Sequence, residues 1–594
     1  MATYRAPVAA IAGALDAAGL ASMLRWPAYA EIERQDVTDV LAEVGRFAEE
    51  VWLPSDRIGD QQPPRLDPDS GAVTTPAEIR RAYRGFVEAG WAALAMPGAA
   101  GGGGFPALVG LAAEELLDSA NLGLSLCPML THGAVHLLER WGSAEQRAAY
   151  LPHLVSGEWT GTMCMTEPEA GSDVGAVRTR AVPGDDGTWS LTGTKIFITW
   201  GDHDLADGIV HLVLARTPGA PAGTKGISLF LVRRDRSGAG LPSDGLRANG
   251  VRVVGLERKL GLHASPTCVL ELDGAVGELV GAVGGGMAGM FTMMNAARLS
   301  IGLQGLAVAE RGYQAAVAHA RDRVQGGVPI GEHPDVRRML LDMASGIDAM
   351  RALLYETAAA ADVARHHPDA ERRRLGQSRA DLLTPLAKAW PTDEGVRLTS
   401  VAIQVHGGMG YVEETGVAQH WRDSRIGPIY EGTNGIQAID LVERKVRRDG
   451  GIAMAALLHD IDDTARALGA LEGFDDAAHE VDQAIGAVRT ATEHLLAADA
   501  VEDRRAVATP YLELTATTVA AALLARQILV PGHRRDAALA RRVRLFALDR
   551  LPVARALVPR ILRGVVGIDD RVRDEPLPPR GSIRTMAEAT SQGA

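Results

Sequence analysis

The feature that most constrains this chain is a hydrophobic period that changes twice along its length. From about Val37 to Leu154 apolar residues keep helical spacing: Leu41, Val44, Phe47 and Val51 fall three or four positions apart, and Ala107 to Trp141 continues the habit. The run Gly101 to Gly104 interrupts it as an expected flexible loop. Between about Trp159 and Val283 the pattern shortens to alternating runs bounded by turn residues. Asp186-Gly187 lies between a run ending near Val182 and the run Trp189 to Ile198, a hairpin signature because such turns need positive φ. His211 to Ala215 and Ile227 to Val232 alternate in the same way. Helical spacing returns at Met287, where Met290, Met294, Ala297 and Ile301 share one face of a long helix that should stop near Gln325-Gly326-Gly327. More helices follow to about Val446, and an Ala-rich helical stretch runs from about Asp449 to Ala594. The order of helices, strands and helices predicts an α+β architecture rather than an alternating parallel sheet. The expected units are a helical domain over 1–158, a β domain over 159–283, a helical bundle over 284–446 and an appended helical domain over 447–594.

A chain of 594 residues is long enough for roughly three or four such units. Its net charge of −13 argues against a nucleic-acid partner, since affinity for a phosphate backbone comes mostly from Lys and Arg. Cys127, Cys164 and Cys268 are widely spaced and odd in number, which suggests neither a disulfide framework nor a zinc site and points to a reducing, cytoplasmic setting. Met1 to Ala21 is interrupted by Asp16 and does not read as a secretory signal. No uncharged apolar run reaches the ~18 residues of a membrane span, so the protein is expected to be soluble or at most peripheral. The segment Arg541 to Arg563 holds seven Arg against Asp549; a solvated helix face or a subunit contact is preferred over docking on an anionic membrane.

Three motifs bear on chemistry. Gly284-x-Gly286-x-x-Gly289 matches a dinucleotide fingerprint, but one helix should run straight through Glu310, where a Rossmann unit needs a second strand, so these glycines read as a turn into a helix. Met163 to Asp173 packs small and hydroxyl residues before a strand and offers Thr166, Ser172 and backbone N–H groups to ligand oxygens. Glu431 stands between bulky apolar residues and glycines, where desolvation would raise its pKa and suit it to act as a base on a weakly acidic C–H. A lone Glu in a loop is more often structural. No metal is expected: His132, His203, His211 and His406 lack ligand spacing, and Asp202, Asp204 and Asp207 around His203 read as a polar surface loop.

Taken together, Met163 to Asp173 and Gln404-Val-His-Gly-Gly-Met-Gly410, followed by Arg422-Asp423 and Tyr430-Glu-Gly-Thr433, resemble the two signature regions of the acyl-CoA dehydrogenase family. The resemblance covers roughly residues 40–446 and includes Gly193 to Gly201 and Ala320 to Gly326. The Trp200-Gly-Asp-His-Asp insertion and the C-terminal extension are similar to its large branch, which includes 3-methylmercaptopropionyl-CoA dehydrogenases and broad-range fatty acyl-CoA dehydrogenases.

The resemblance implies an N-terminal helical domain, a central β-barrel-like domain and a C-terminal helical bundle, here with an extra helical domain, and FAD between the β domain and the bundle. By matching positions, Met163, Met165, Thr166 and Ser172 would line the flavin and its ribityl or phosphate groups, with Phe197 and Thr199 against the ring system and Thr433 also on the cofactor. Phe197 stands where relatives commonly have Trp. Arg323, Gln325, Gln404 and Gly408 match positions that reach a neighbouring subunit's flavin, which implies at least a dimer. Ser172, Arg298 and Gly432 would contact substrate, and Arg298 resembles the Arg supporting the coenzyme A end; composition alone equally allows a buried ion-pair partner. Leu124 and Pro128 match the floor of the acyl tunnel. Some branches place their base one residue before that Arg, but Ala297 stands there, leaving Glu431.

The implied reaction is α,β-dehydrogenation of an acyl-CoA thioester, as in fatty acid β-oxidation. Glu431 would take the α-proton while hydride leaves the β-carbon for flavin N5, with the thioester oxygen on the Glu431 backbone N–H and a ribityl hydroxyl. An electron-transfer flavoprotein would then take the electrons. Two rivals stay open: an acyl-CoA oxidase, and a non-catalytic flavin-binding member of the fold, against which Glu431 and the acidic charge both count.

Overall fold

The computed structural model describes residues 4–235 and 249–566, so residues 1–3, 236–248 and 567–594 of the expected N-terminal, β and appended domains lie outside the described residues. The N-terminal helices form where apolar spacing allows one face to be buried. In Arg34–Phe47 the buried Val37, Leu41 and Val44 lie on one side, and Glu33 with Asp36 closes a capping box at the start. Helices Ala107–Ala120, Leu122–Trp141 and Ala144–Ser156 follow. The glycine run between them is not a loose loop. Gly103 N–H bonds Ala93 O at 2.8 Å and Gly104 N–H bonds Met96 O at 3.0 Å. A methyl group on Gly102 would lie 2.1 Å from Met96 O, so glycine is present for close backbone approach.

The β domain is barrel-like. Gly208–Arg216 pairs with Arg180–Pro183 and Ile227–Arg233, Trp189–Thr199 joins Arg180–Pro183 to Thr267–Val280, and Thr267–Val280 returns to Ile227–Arg233, which closes the ring. Pro183 faces Trp189 across the Asp186-Gly187 turn, where Gly187 has φ 82°. Trp159–Cys164 lies parallel to Gly208–Arg216 outside the ring. Alternating polar and apolar faces are absent from the two strands expected to show them: Gly208–Arg216 and Ile227–Arg233 are buried almost throughout. The reason is that both faces meet apolar neighbours. Val213, Ala215, Phe230 and Val232 fill the barrel core with Leu270, while Leu212, Leu214, Leu229 and Leu231 belong to the helical core.

The glycine turn at 281–285 leads into helix Gly286–Asp322, which runs through Glu310 and excludes the dinucleotide reading. It packs with Pro334–His366 and Ala370–His406. Three glycines set the closeness of that packing: a methyl group on Gly302 would lie 1.9 Å from Ala387 O, one on Gly305 2.1 Å from Pro391 O, and one on Gly395 2.7 Å from the Gly305 Cα. No side chain other than hydrogen fits.

The appended helices Ile452–Gly469, Asp475–Ala497, Ala508–Leu529 and Ala537–Arg555 dock on this bundle. Ala508–Leu529 has the length and composition of a membrane span, but its residues are mostly buried against neighbouring helices. The Arg-rich stretch spans helices Ala537–Arg555 and Val558–Leu562; four of its seven Arg are paired within the chain, Arg542 with Asp348 at 2.7 Å, Arg550 with Glu394, Arg544 with Asp476 and Arg555 with Glu480, while Arg541, Arg560 and Arg563 are exposed, so the expected solvated face holds for part of it. The acids lie on helices it packs against, which a one-dimensional charge count does not reveal.

Arg542 also joins a buried network. Arg351, 2% exposed, bonds Glu115 Oε1 at 2.7 Å, Glu310 Oε2 at 3.2 Å and Asp348 Oδ1 at 3.1 Å, and Tyr355 Oη adds a 2.7 Å bond to Glu115. One guanidinium thereby ties the N-terminal domain to two bundle helices. Replacing Arg351 with Met should destabilise the protein by about 3–5 kcal/mol, because three carboxylates lose their buried cation; a denaturant titration reads this. Gly305→Ala should cost ~3 kcal/mol or more, since a rigid carbonyl rather than a flexible side chain occupies the space, with a lowered thermal midpoint as the readout.

Candidate active site

The strand Trp159–Cys164 carries Met163, and the chain leaves it through Met165 and Thr166. Thr166 O accepts a 3.0 Å hydrogen bond from Ile196 N, which fixes this segment against the end of strand Trp189–Thr199. That strand slips register between Lys195 and Ile198, and Phe197 adopts φ 59°. The bulge turns the Phe197 ring outward, leaving it 57% exposed beside the Thr166 segment. Met163, Met165, Thr166, Phe197 and Thr199 are thus brought together. Ser172 lies exposed on the following loop, where, among the described residues, the N–H groups of Gly171, Ser172 and Asp173 have no hydrogen-bond partner.

A residue that the motif reading passed over holds this loop. Glu167 accepts from Arg178 N at 2.6 Å, Thr179 N at 3.0 Å and the buried Lys195 Nζ at 2.7 Å, and Lys195 also donates to Met165 O at 3.2 Å. The segment around His203 is a loop with Asp204 and Asp207 exposed, but His203 itself is 2% exposed and bonds Thr160, Asp202 pairs with Arg234, and Asp204 accepts from Thr75 and pairs with Arg80.

Arg323 and Gln325 sit at the end of helix Gly286–Asp322 and in the hairpin after it, both exposed. His319 stacks on His406 at 4.4 Å, which brings the exposed Gln404 and Gly408 to the same end of the bundle. Among the described residues, the side chains of Arg323, Gln325 and Gln404 are not hydrogen-bonded to the Met163–Ser172 segment or to the Glu431 loop.

The loop between Val417–Ser424 and Asn434–Asp440 presents Glu431. Its entry is anchored by the signature pair: Arg422 forms a two-pronged bridge to Asp60 at 2.9 and 2.7 Å, and Asp423 accepts from Leu262 N at 2.5 Å. Glu431 itself has φ 54° and Gly432 φ 83°, two consecutive left-handed residues of which the first pays for its side chain in strain. Thr433 caps the next helix by accepting from Ile436 N at 3.2 Å. Tyr430 Oη bonds Gln304.

Glu431 keeps partial solvent access as a residue, yet its Oε2 is buried and has no hydrogen-bond partner. Burial raises its pKa, and the positive charges of Arg298 and Lys388 oppose the rise. Arg298, 7% exposed, forms no ion pair among the described residues, which corrects that alternative. Its Nη1 donates to Asn295 at 3.1 Å, its Nε has no partner, and it lies 5.9 Å over the Phe291 ring. Burial lowers its pKa while Asp440 and Glu431 push it up. Arg298 also lines a cavity of about 900 Å³ together with Pro128, Met129 and Asn295; Leu124 and Glu431 are not in that wall.

Lys388, on helix Ala370–His406, was not singled out by the sequence. Its Nζ is completely buried and donates to Gly427 O at 2.9 Å, Gly432 O at 2.8 Å and Asn434 Oδ1 at 2.9 Å. Burial lowers its pKa to about 7, against the pull of Glu431 and Asp393. Nothing in a lone Lys on an apolar helix face distinguishes it from a snorkelling surface residue.

Comparison with known proteins agrees with this architecture. Residues 36–158, 162–275 and 284–446 match the profiles for the N-terminal, middle and C-terminal domains of acyl-CoA dehydrogenase, and residues 457–570 match an acetyl-CoA dehydrogenase C-terminal-like domain. The 3-methylmercaptopropionyl-CoA dehydrogenase of Ruegeria pomeroyi is 46% identical over 86% of this chain and 89% of its own length. A broad-specificity linear acyl-CoA dehydrogenase of Mycobacterium tuberculosis is 36% identical over 81% of this chain and 78% of its own. A Bacillus anthracis acyl-CoA dehydrogenase solved with FAD shares the fold with a TM-score of 0.74 at 20% identity, covering 92% of this chain and 90% of that one. The chain belongs to the acyl-CoA dehydrogenase family, whose members are FAD-dependent oxidoreductases.

Proposed function

We propose that this protein dehydrogenates an acyl-CoA thioester between its α and β carbons, with Glu431 as the base that removes the α-proton. The observation that carries the reading is a single residue offering two complementary groups. Glu431 has a desolvated carboxylate oxygen without a partner, and, among the described residues, its backbone N–H is also unpaired. The N–H, with that of Gly432, can donate to the thioester oxygen and stabilise the negative charge that grows there as the α-proton leaves. The carboxylate gains basicity from burial, since its ionised form is poorly solvated.

The chain's residues fit an FAD at this place. Phe197 turns an exposed ring outward next to Thr166 and Thr199, and the unpaired N–H groups at 171–173 suit an oxygen-rich ligand. Met163, Met165, Thr166, Ser172, Phe197, Thr199 and Thr433 would hold it from one subunit. Arg323, Gln325, Gln404 and Gly408, at the exposed bundle end, would reach the flavin of a second copy in a homodimer. When bound, FAD supplies the acceptor for the two electrons that leave the substrate. Ser172, Arg298 and Gly432 would orient the thioester and its coenzyme A arm. Three buried, unpaired cysteines accord with a cytoplasmic enzyme. Transfer of electrons to an electron-transfer flavoprotein and a place in fatty acid β-oxidation complete the reading.

Glu431→Gln should keep the yellow colour and abolish anaerobic bleaching by acyl-CoA, a loss on the order of 10³-fold or more for a residue that takes the proton directly; undiminished bleaching would remove the assignment. The rate of bleaching should fall on the acid side as Glu431 protonates, with the limb above the usual Glu range because its pKa is raised. Stability follows the opposite sign. A folded pKa above the unfolded one means ionisation costs stability, a cost that enters as pH rises from the unfolded value through the folded one. Glu431→Gln should therefore raise the thermal midpoint at pH 8, with the gain shrinking towards pH 4.

A further inference from the structure

Lys388 is the most completely satisfied buried cation near the candidate site, and its bonds all end on the loop that carries Glu431. An ammonium has three N–H donors, and the structure supplies three acceptors at 2.8–2.9 Å: Gly427 O before Glu431, Gly432 O directly after it, and Asn434 Oδ1 at the start of the next helix. Asn434 returns the connection to the helix of Lys388 through bonds to Ala389 O at 3.1 Å and Thr392 Oγ1 at 3.0 Å. The bracket therefore closes on one rigid helix. Three acceptors around one nitrogen match the three N–H donors of the charged form and favour it against the burial that lowers its pKa to about 7.

The loop needs such a bracket. Glu431 occupies the left-handed region at φ 54°, where a side chain is strained, and released it would relax towards an ordinary backbone. Among the described residues, only Lys388 bonds the carbonyl on the far side of that strained residue with a charged donor; Gln437 Nε2 reaches Gly432 O at a long 3.5 Å. The ammonium also lies within electrostatic reach of the Glu431 carboxylate. The charged groups acting on Glu431 are Arg298 from helix Gly286–Asp322 and Lys388 from helix Ala370–His406, both favouring its ionised form. Those acting on Lys388 are Glu431, Asp393 and Arg298.

We propose that Lys388 is the positioning residue of the Glu431 base: its buried ammonium holds the 427–434 loop in the strained shape that presents the carboxylate, and provides part of the positive charge against which that carboxylate ionises. The proposal rests on the reading of Glu431 as the base. Lys388 touches neither substrate nor cofactor in this account and acts only through the loop.

The test is anaerobic, single-turnover flavin reduction by a saturating acyl-CoA, followed over pH in purified holoenzymes. Lys388→Met should retain FAD, judged from its absorbance, and should slow reduction about 100-fold, the scale expected for sub-ångström misplacement of a reacting group. Its acid limb should move up by about one pH unit or more, since a neighbouring cation is lost. Apparent KM should change less than reduction rate. Asn434→Ala leaves the charge in place and removes one acceptor, so it should slow reduction with the acid limb unmoved, and it decides the matter if Lys388→Met does not fold. Wild-type rate and limb in a folded Lys388→Met holoenzyme would overturn the proposal, as would a fall in rate that only tracks lost FAD with the limb unchanged, or, where that variant does not fold, an Asn434→Ala enzyme of wild-type rate. The base assignment fails separately: an inert Glu431→Gln beside a normal Lys388→Met sinks only the role of the lysine, whereas an active Glu431→Gln sinks the assignment on which it depends.

Discussion

The candidate site depends on how closely two long helices cross. Helices Gly286–Asp322 and Ala370–His406 meet backbone to backbone at Gly302, Gly305 and Gly395, where any Cβ would overlap a carbonyl or an α-carbon of the partner. Interiors pack at near-crystalline density and do not absorb an extra methylene without displacing their neighbours. That contact sets the depth at which Arg298, one turn before Gly302, and Lys388, beside the Ala387 carbonyl that Gly302 approaches, stand relative to the loop threaded between Val417–Ser424 and Asn434–Asp440. A wider crossing would move both cations away from Glu431.

The same region shows how charge is buried at tolerable cost. Lys388 uses all its donors, Glu167 collects four protein donors around Lys195, and Arg351 is surrounded by three carboxylates. Each satisfies the requirement that a desolvated ion be hydrogen-bonded on every side. Glu431 and Arg298 depart from it, keeping a buried oxygen and a buried nitrogen without partners. Groups left unsatisfied among neighbours that are fully satisfied mark where stability has been given up, and a carboxylate of raised pKa beside a free N–H is the arrangement a C–H base requires. The β domain contributes by the same device: Glu167 and Lys195 hold the 165–179 loop rigid, so that Phe197 and the free N–H groups at 171–173 are presented by a framework rather than by a mobile segment.

Much of this was legible in the residues. Val37, Leu41 and Val44 announced a helix, Asp186-Gly187 a hairpin, and the uninterrupted pattern through Glu310 ruled out a nucleotide fold for the glycine run before it. The two signature regions led to Glu431 and to the strand and loop around Thr166. Other expectations needed correction. Gly101 to Gly104 is close-packed on the turn at Ala93 to Met96 just before it, while His203 is buried and four of the seven Arg of the basic stretch are paired within the chain because their partners lie far away in sequence. Arg298 forms no ion pair among the described residues, although Asp440 and Glu431 act on it electrostatically.

Local sequence determined the elements, their order and the identity of the loop that carries the acid, because helix and strand periods, turn residues and caps are properties of a few adjacent positions. Tertiary structure alone decided which elements meet and at what distance. His211 to Ala215 and Ile227 to Val232 read as alternating strands, yet the barrel and the helical layer bury both faces. Lys388 is 43 positions from Glu431 and carries no motif of its own. Its role exists only because three oxygens converge on one nitrogen, and convergence in space is a consequence of packing that no short window of residues encodes.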